Sequence, residues 1–241
     1  MAKDFLKKLK VKIYSDGADK ASLFEMNADP YISGMTTNPS LMKKAGVKEY
    51  ESYCKEILSQ IKEKPISFEV FADDLFEMRR QAEIINSWAK NVYVKIPVTN
   101  SEGVPTYTLI KELSQKGIKL NITAVFTLEQ TWQTCLALKN GAPSIVSIFA
   151  GRVADIAVDP EPLMAAALSM CKDAGKQIEL LWASTREPFN VIQADRLGCH
   201  IITVPPELIK KCEIFGKSLE SYSLDTVKMF KKDAELSGFK L

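Results

Sequence analysis

The chain has 241 residues, 46% hydrophobic and 26% charged, with 11 glycines and 11 prolines spread along its length, an ordinary composition for a globular protein. The formal net charge is only +2 and the lysines are interspersed with acids, which argues against nucleic acid or an anionic membrane surface as a partner. The five cysteines are scattered, without C-x-x-C spacing. They suggest neither a disulfide framework nor a zinc site, and buried reduced thiols are expected.

The basic start M-A-K-D-F-L-K-K-L-K-V has no apolar leader core, and no later run approaches the roughly 18 apolar residues of a membrane span. A cytoplasmic protein is the expectation. Short β-rich runs then follow in order: V-K-I-Y-S (11–15), Y-I-S-G-M-T (31–36), I-S-F-E-V-F (66–71), V-Y-V-K-I (92–96), I-K-L-N-I-T (118–123), S-I-V-S-I-F (144–149), I-E-L-L-W-A (178–183) and H-I-I-T-V (200–204). Helical patterns lie between them, as in residues 73–90, where Leu75, Met78, Ala82, Ile85 and Trp88 keep helical spacing. Eight β-α units without an internal linker predict one (β/α)8 barrel domain over residues 1–241. An open doubly wound sheet shares this alternation, but no G-x-G-x-x-G or P-loop pattern follows an early strand. Residues 218–241 predict an additional C-terminal helix. Its stripe of Leu219, Tyr222, Val227, Phe230 and Leu236 is suited to covering the barrel or a neighbouring subunit.

One of these strands contains an anomaly. Lys95 interrupts the apolar run N-V-Y-V-K-I-P-V-T (91–99), and a buried ammonium is costly unless it is paired, reaches solvent or sheds its proton. In a closed barrel alternate side chains point into the lumen. Val92, Val94 and Ile96 share one face, so Tyr93 and Lys95 face the lumen. The same parity gathers Asp16 with Tyr14, Glu69 with Ser67, and Asn121 with Thr123. Thr36 and Asn38 end the second unit, Ser147 lies in the sixth strand and Ser184 ends the seventh. Barrel enzymes build their sites at these strand ends. Lys12 shares the lumen parity and is the competing lysine, but it sits early in its strand, at the bottom rim.

A free lysine has a pKa near 10.4, so about one molecule in a thousand is nucleophilic at neutral pH. Desolvation in an apolar wall can lower that value by roughly three units. Such an amine attacks a ketone to form an iminium, an electron sink that allows the neighbouring carbon–carbon bond to break. Asp16 and Glu69 are the carboxylates available to shuttle protons. The single histidine, His200, has no metal-site context and is expected to be an ordinary core or surface residue.

The motifs T-T-N-P-S (36–40), V-K-I-P (94–97), N-I-T-A-V-F (121–126), S-I-F-A-G-R-V-A-D (147–155) and A-S-T-R (183–186) resemble, in order and spacing, those of the transaldolase family. The resemblance implies a cofactor-free enzyme that acts on sugar phosphates. Lys95 would form the Schiff base, Asp16 would act on the donor's C4 hydroxyl, and Glu69 with Thr123 would work through a catalytic water. Thr36, Asn38, Asn121 and Ser147 would hold sugar hydroxyls, and Arg152, Ser184 and Arg186 the phosphate. A salt bridge between Arg152 and Asp155 is the plainer reading of that arginine.

Related fructose-6-phosphate aldolases carry Gln at the position of Glu69 and Tyr at that of Phe126, so both positions resemble the transferases. The chain's size resembles short subfamilies that assemble as pentamers or decamers through a C-terminal helix. It departs from the family in Y-S-D-G-A-D (14–19), where Gly17 replaces a hydroxyl residue, and around F-E-V-F-A-D-D and I-A-V-D-P-E-P. An aldolase that releases dihydroxyacetone, an enzyme of specialised sugar biosynthesis and a sugar-phosphate-binding barrel without turnover remain the rival readings.

Overall fold

The computed structural model describes residues 5–240. Its strands are β1 (Lys12–Asp16), β2 (Ile32–Thr36), β3 (Ile66–Glu69), β4 (Val92–Pro97), β5 (Leu120–Val125), β6 (Ser144–Ile148), β7 (Ile178–Trp182) and β8 (Ile201–Val204). They pair in parallel, each with its sequence neighbour, and β8 returns to β1, which closes the barrel. The intervening helices are α1 (Lys20–Ala28), α2 (Pro39–Lys44), α3 (Tyr50–Gln60), α4 (Leu75–Ser87), α5 (Tyr107–Gln115), α6 (Leu128–Leu138), α7 (Ala150–Asp155), α8 (Pro160–Ala174), α9 (Phe189–Leu197) and α10 (Pro206–Lys211). A last helix, α11 (Leu219–Ser237), follows the eighth unit. Among the described residues no helix is long and apolar enough to cross a membrane.

The strand parity divides the apolar residues into two bodies. Val92, Val94 and Ile96 join Ile66, Phe68, Leu120 and Ile122 in the large core between sheet and helices. Tyr14, Ile145, Leu181, Ala183 and Ile201 form a smaller cluster, with Tyr93 and Phe149 packed against it. These alternate positions fill the lumen. The Tyr14 ring lies so close to Gly34 that a Cβ there would sit 2.6 Å from it, so only glycine lets the ring cross the barrel at this level. Lys12 lies at the opposite end of β1 from Asp16 and pairs with Glu179 at 2.6 Å, which fits a bottom-rim lysine.

Several boundaries differ from the sequence reading. The fifth strand begins at Leu120 because the left-handed turn at Gly117 and the bond from Ile118 N–H to the Leu113 carbonyl keep Ile118 in the helix exit. It then runs on to Val125 through a bulge at Ala124, whose φ is +58°. The third strand ends at Glu69, since the Phe71 and Ala72 N–H groups turn to the Gln81 side chain. In α4, capped by Asp74, the predicted stripe faces inward, with Met78, Ala82 and Ile85 buried.

Helix α11 is capped by Ser218 and closed by a left-handed Gly238. It buries no residue of its own, and Leu219 and Leu236 are 84% and 76% exposed. Covering its own barrel is therefore not its role; Leu241 lies outside the described residues. The cysteines are buried and free. Burial pushes the Cys54 and Cys199 thiols up to about 12, in keeping with packing rather than reactivity.

Candidate active site

A cleft of about 520 Å³ opens at the C-terminal ends of the strands, and every residue singled out in the sequence as catalytic or substrate-binding lines it. The barrel register accounts for this. Glu69 pairs with Lys95 across β3 and β4, Lys95 with Asn121 across β4 and β5, and Asp16 with Thr36 across β1 and β2. Residues far apart in sequence thus stand side by side, on backbone that the sheet makes rigid.

Lys95 is 6% exposed. Its ammonium lies 3.0 Å from Glu69 Oε2 and donates to the Thr37 carbonyl at 3.0 Å. The apolar wall expected around this amine is corrected: the nitrogen faces a carboxylate and a carbonyl oxygen. That pairing answers how a charge is tolerated inside a strand, because a buried ion is retained where a counter-ion and hydrogen bonds replace its water.

Glu69 is held by an arrangement that the sequence did not reveal. On one side its strand continues to pair with β4 through Val70 N–H and the Lys95 carbonyl. On the other side β2 has already turned away, and the Tyr50 phenol takes its place. It donates to the Glu69 carbonyl at 3.0 Å and accepts the Glu69 N–H at 3.1 Å. Tyr50 stands at the start of α3, and its ring packs edge-on against Phe71. Burial raises its pKa, which keeps the phenol protonated and able to donate.

Asp16 accepts a hydrogen bond from Thr36 Oγ1 at 2.8 Å, and the same hydroxyl meets Thr203 Oγ1 at 2.5 Å. Burial raises the Asp16 pKa, the Lys95 cation and the Thr36 hydrogen bond lower it, Glu207 raises it, and the net shift is upward. Asn121 links three strands: its amide donates to Ser67 Oγ at 3.0 Å and accepts from Ser147 Oγ at 2.6 Å. Thr123 Oγ1 is buried and finds no hydrogen-bond partner among the described residues, which leaves it available to a bound molecule. Asn38 caps α2, its Oδ1 accepting from Leu41 N–H. Its amide NH2 and the second lone pair of Oδ1 remain for a substrate.

Two arginines border the cleft. Arg152 on α7 has its guanidinium 5.7 Å from the Phe149 ring centre. The alternative role for Arg152, a salt bridge with Asp155, is not formed: Asp155 pairs with Arg186. Arg186 Nε donates to Asp155 Oδ1 at 2.9 Å, and its Nη2 bonds Oδ2. The reason is geometric: α7 and the segment after β7 are in backbone contact. A Cβ on Gly151 would lie 1.6 Å from the Ser184 carbonyl oxygen, and Ser184 itself has a φ of +67°. The Asp155 bond holds the Arg186 pKa above its usual value.

Thr203 and Tyr50 are the residues that the sequence reading missed. Thr203 was within reach, because the lumen parity applies to β8 as well. Tyr50 had no such signal, being one aromatic among several on a helix. His200 sits just before β8 and its Nδ1 accepts from Leu180 N–H at 3.0 Å, a structural bond.

The matching family model is Transaldolase/Fructose-6-phosphate aldolase, over residues 13–240. A probable transaldolase of Thermoanaerobacter sp. (strain X514) is 36% identical over 231 residues, covering 96% of this chain and 100% of that protein. A probable transaldolase of Methanococcus maripaludis (strain C6 / ATCC BAA-1332) is 37% identical over 215 residues, or 89% of this chain and 94% of that one. Among solved structures, a tetrameric deoxyribose phosphate aldolase from Aeropyrum pernix superposes with a TM-score of 0.58 at 11% identity, over 90% of this chain and 93% of that one. At that identity the likeness is one of fold.

Proposed function

The chain belongs to the Transaldolase/Fructose-6-phosphate aldolase family, and from that premise we propose that it is a transaldolase moving a dihydroxyacetone unit between phosphorylated sugars through a Schiff base on Lys95. The observation that carries this reading is the buried Lys95–Glu69 pair at 3.0 Å. Glu69 is the base within reach of Lys95 that can take the ammonium proton as the amine engages a carbonyl.

The amine attacks the C2 carbonyl of a ketose phosphate to give a carbinolamine. Loss of its hydroxyl as water, assisted by Glu69 and Thr123 through a catalytic water, leaves the iminium. Asp16 then takes the C4 hydroxyl proton, and the C3–C4 bond breaks with its electron pair passing to the iminium. The aldose phosphate departs and an enamine remains on Lys95. An acceptor aldose phosphate enters, the enamine carbon attacks its aldehyde carbon, and Asp16 returns the proton. Water then hydrolyses the new iminium and frees the product and Lys95. The elevated proton affinity of a buried Asp16 suits a group that both accepts and returns a proton.

Asn38, Asn121 and Ser147 supply hydrogen-bonding groups for the sugar hydroxyls. Arg152, Ser184 and Arg186 take the phosphate, which arginine's fork of N–H donors matches. Glu69 and Phe126 favour transfer over release of dihydroxyacetone. The apolar stripe of α11, exposed along its length, supports a homo-oligomer in which another copy covers that helix. We place the enzyme in the cytoplasm, acting without a cofactor, nucleic acid or membrane.

Borohydride reduction in the presence of fructose 6-phosphate, followed by mass mapping, tests the reading. A six-carbon or three-carbon adduct on Lys95, absent from Lys95→Ala, is expected. An adduct on Lys12 overturns the assignment, and no adduct at all favours a sugar-phosphate-binding barrel.

A further inference from the structure

The neighbours of Asp16 form an ordered chain. Thr36 has a single hydroxyl proton, and it is committed to Asp16 Oδ1 at 2.8 Å. The 2.5 Å contact between Thr36 Oγ1 and Thr203 Oγ1 must then be made with the proton of Thr203. While Asp16 is a carboxylate, the hydrogen bonds all run one way, from Thr203 to Thr36 to Asp16. The three residues lie on the adjoining strands β8, β2 and β1. Both threonines are buried, with Thr203 4% and Thr36 2% exposed, so water does not substitute freely for either hydroxyl. The Thr203 backbone is pinned in turn, its carbonyl accepting from Thr185 Oγ1 at 2.7 Å.

We propose that Thr203 is a positioning residue that acts through Thr36 on Asp16, fixing the carboxylate and setting its proton affinity. The inference rests on the reading of Asp16 as the acid/base. A hydroxyl that itself accepts a hydrogen bond is polarised into a better donor, so the bond to the carboxylate strengthens cooperatively in a low-dielectric site. The chain therefore favours the anion. It works with the Lys95 cation of β4 and against both burial and Glu207 of α10, the other influences on this carboxyl group. Thr36 keeps one lone pair free, so it can accept a hydrogen bond from a sugar hydroxyl but has no proton to give one.

Thr203→Val keeps the branched shape and removes the donor, whereas Thr203→Ser keeps the donor. The Asp16 carboxyl is followed by 13C NMR in protein labelled at aspartate, with Asp16→Asn identifying its resonance. The acid limb of the kcat profile is measured on the same variants. In Thr203→Val the Asp16 midpoint is expected to rise by about 0.5 pH unit, roughly a threefold change in its ionisation constant. The acid limb should rise with it, and Thr203→Ser should restore both. A midpoint that stays in place in Thr203→Val, whatever happens to the rate, overturns the proposal and leaves Thr203 a packing residue. A midpoint that rises while the acid limb stays upholds the chain of hydrogen bonds and refutes the assignment of Asp16 as the acid/base.

Discussion

Gly151→Ala is a severe test of how the phosphate end of the cleft is built. The added Cβ would lie 1.6 Å from the Ser184 carbonyl oxygen. Ordinary carbon–oxygen contacts stop at about 3.3 Å, so the start of α7 and the Ser184 segment must separate by about 1.7 Å. The obstacle is backbone, not a rotatable side-chain tip, and the left-handed Ser184 has little freedom to turn its carbonyl aside. Overpacking of this kind costs about 1–3 kcal/mol, which for a chain of this size lowers Tm by roughly 2–12 °C.

The functional loss should exceed what the stability loss suggests. Arg152 is the next residue after Gly151 and Arg186 lies two beyond Ser184, so the same displacement drives the two guanidinium groups apart. A misplacement of about 1 Å can cost a hundredfold in rate. The assay is kcat/KM for a phosphorylated ketose beside its unphosphorylated counterpart, with Tm from calorimetry. A fall of about a hundredfold confined to the phosphorylated donor is expected. Gly17→Ala is the stability control, since its Cβ would meet nothing nearer than Pro206 Cγ at 3.7 Å. A Gly151→Ala enzyme with wild-type Tm and kcat/KM would refute both the contact and the phosphate site built on it.

Arg186→Ala should weaken use of a phosphorylated donor by roughly ten- to a hundredfold, the loss of a charge-assisted contact. Equal losses on an unphosphorylated ketose would assign the arginine to structure or chemistry instead. The double variant Glu69→Gln, Phe126→Tyr should release more free dihydroxyacetone relative to transfer. A partition unchanged in a coupled assay with and without acceptor would remove the argument for these positions. Tyr50→Phe keeps the ring against Phe71 but strands the Glu69 N–H and carbonyl. At about 1–3 kcal/mol for unsatisfied buried groups, Tm should drop by roughly 2–12 °C; a melting curve superimposable on wild type would mean that other groups satisfy Glu69.

What the sequence made legible follows from strand geometry. A period of two is short-range, so Val92, Val94 and Ile96 disclose the face of Lys95 without any knowledge of the fold, and the same rule reaches Asp16, Glu69, Asn121 and Thr123. The rule applies equally to Thr203, but nothing in the short run I-I-T-V marks that threonine out as a charge marks Lys95. Contacts between loops and helices carry no such period. Asp155 lies three residues from Arg152 and 31 from Arg186, and sequence distance favours the wrong partner; the close packing at Gly151 reverses it. Parity brings Lys95 and the carboxylates Asp16 and Glu69 to one mouth of the barrel, as found, and stops there. Strand parity shows which way a side chain points, but not that Glu69 in the adjoining strand ends within 3.0 Å of it. The exposed stripe of α11 was plain in the sequence, yet a stripe alone does not say which surface it meets.

The narrow pairing between β2 and β3 has a consequence for how the molecule breathes. These strands are in register only at Met35–Ile66 and Thr36–Ser67, and the Tyr50 phenol extends the seam by supporting Glu69. A closed sheet has no edges, so opening any seam creates two at once, each with unpaired amides able to recruit another strand. A seam closed partly by one side chain is a low-energy place for such an opening. The Glu69 amide should then lose protection from hydrogen exchange before the amides within β5 and β6. The same event would carry Glu69 away from Lys95, so transient loss of the nucleophile's partner and transient exposure to aggregation are one motion.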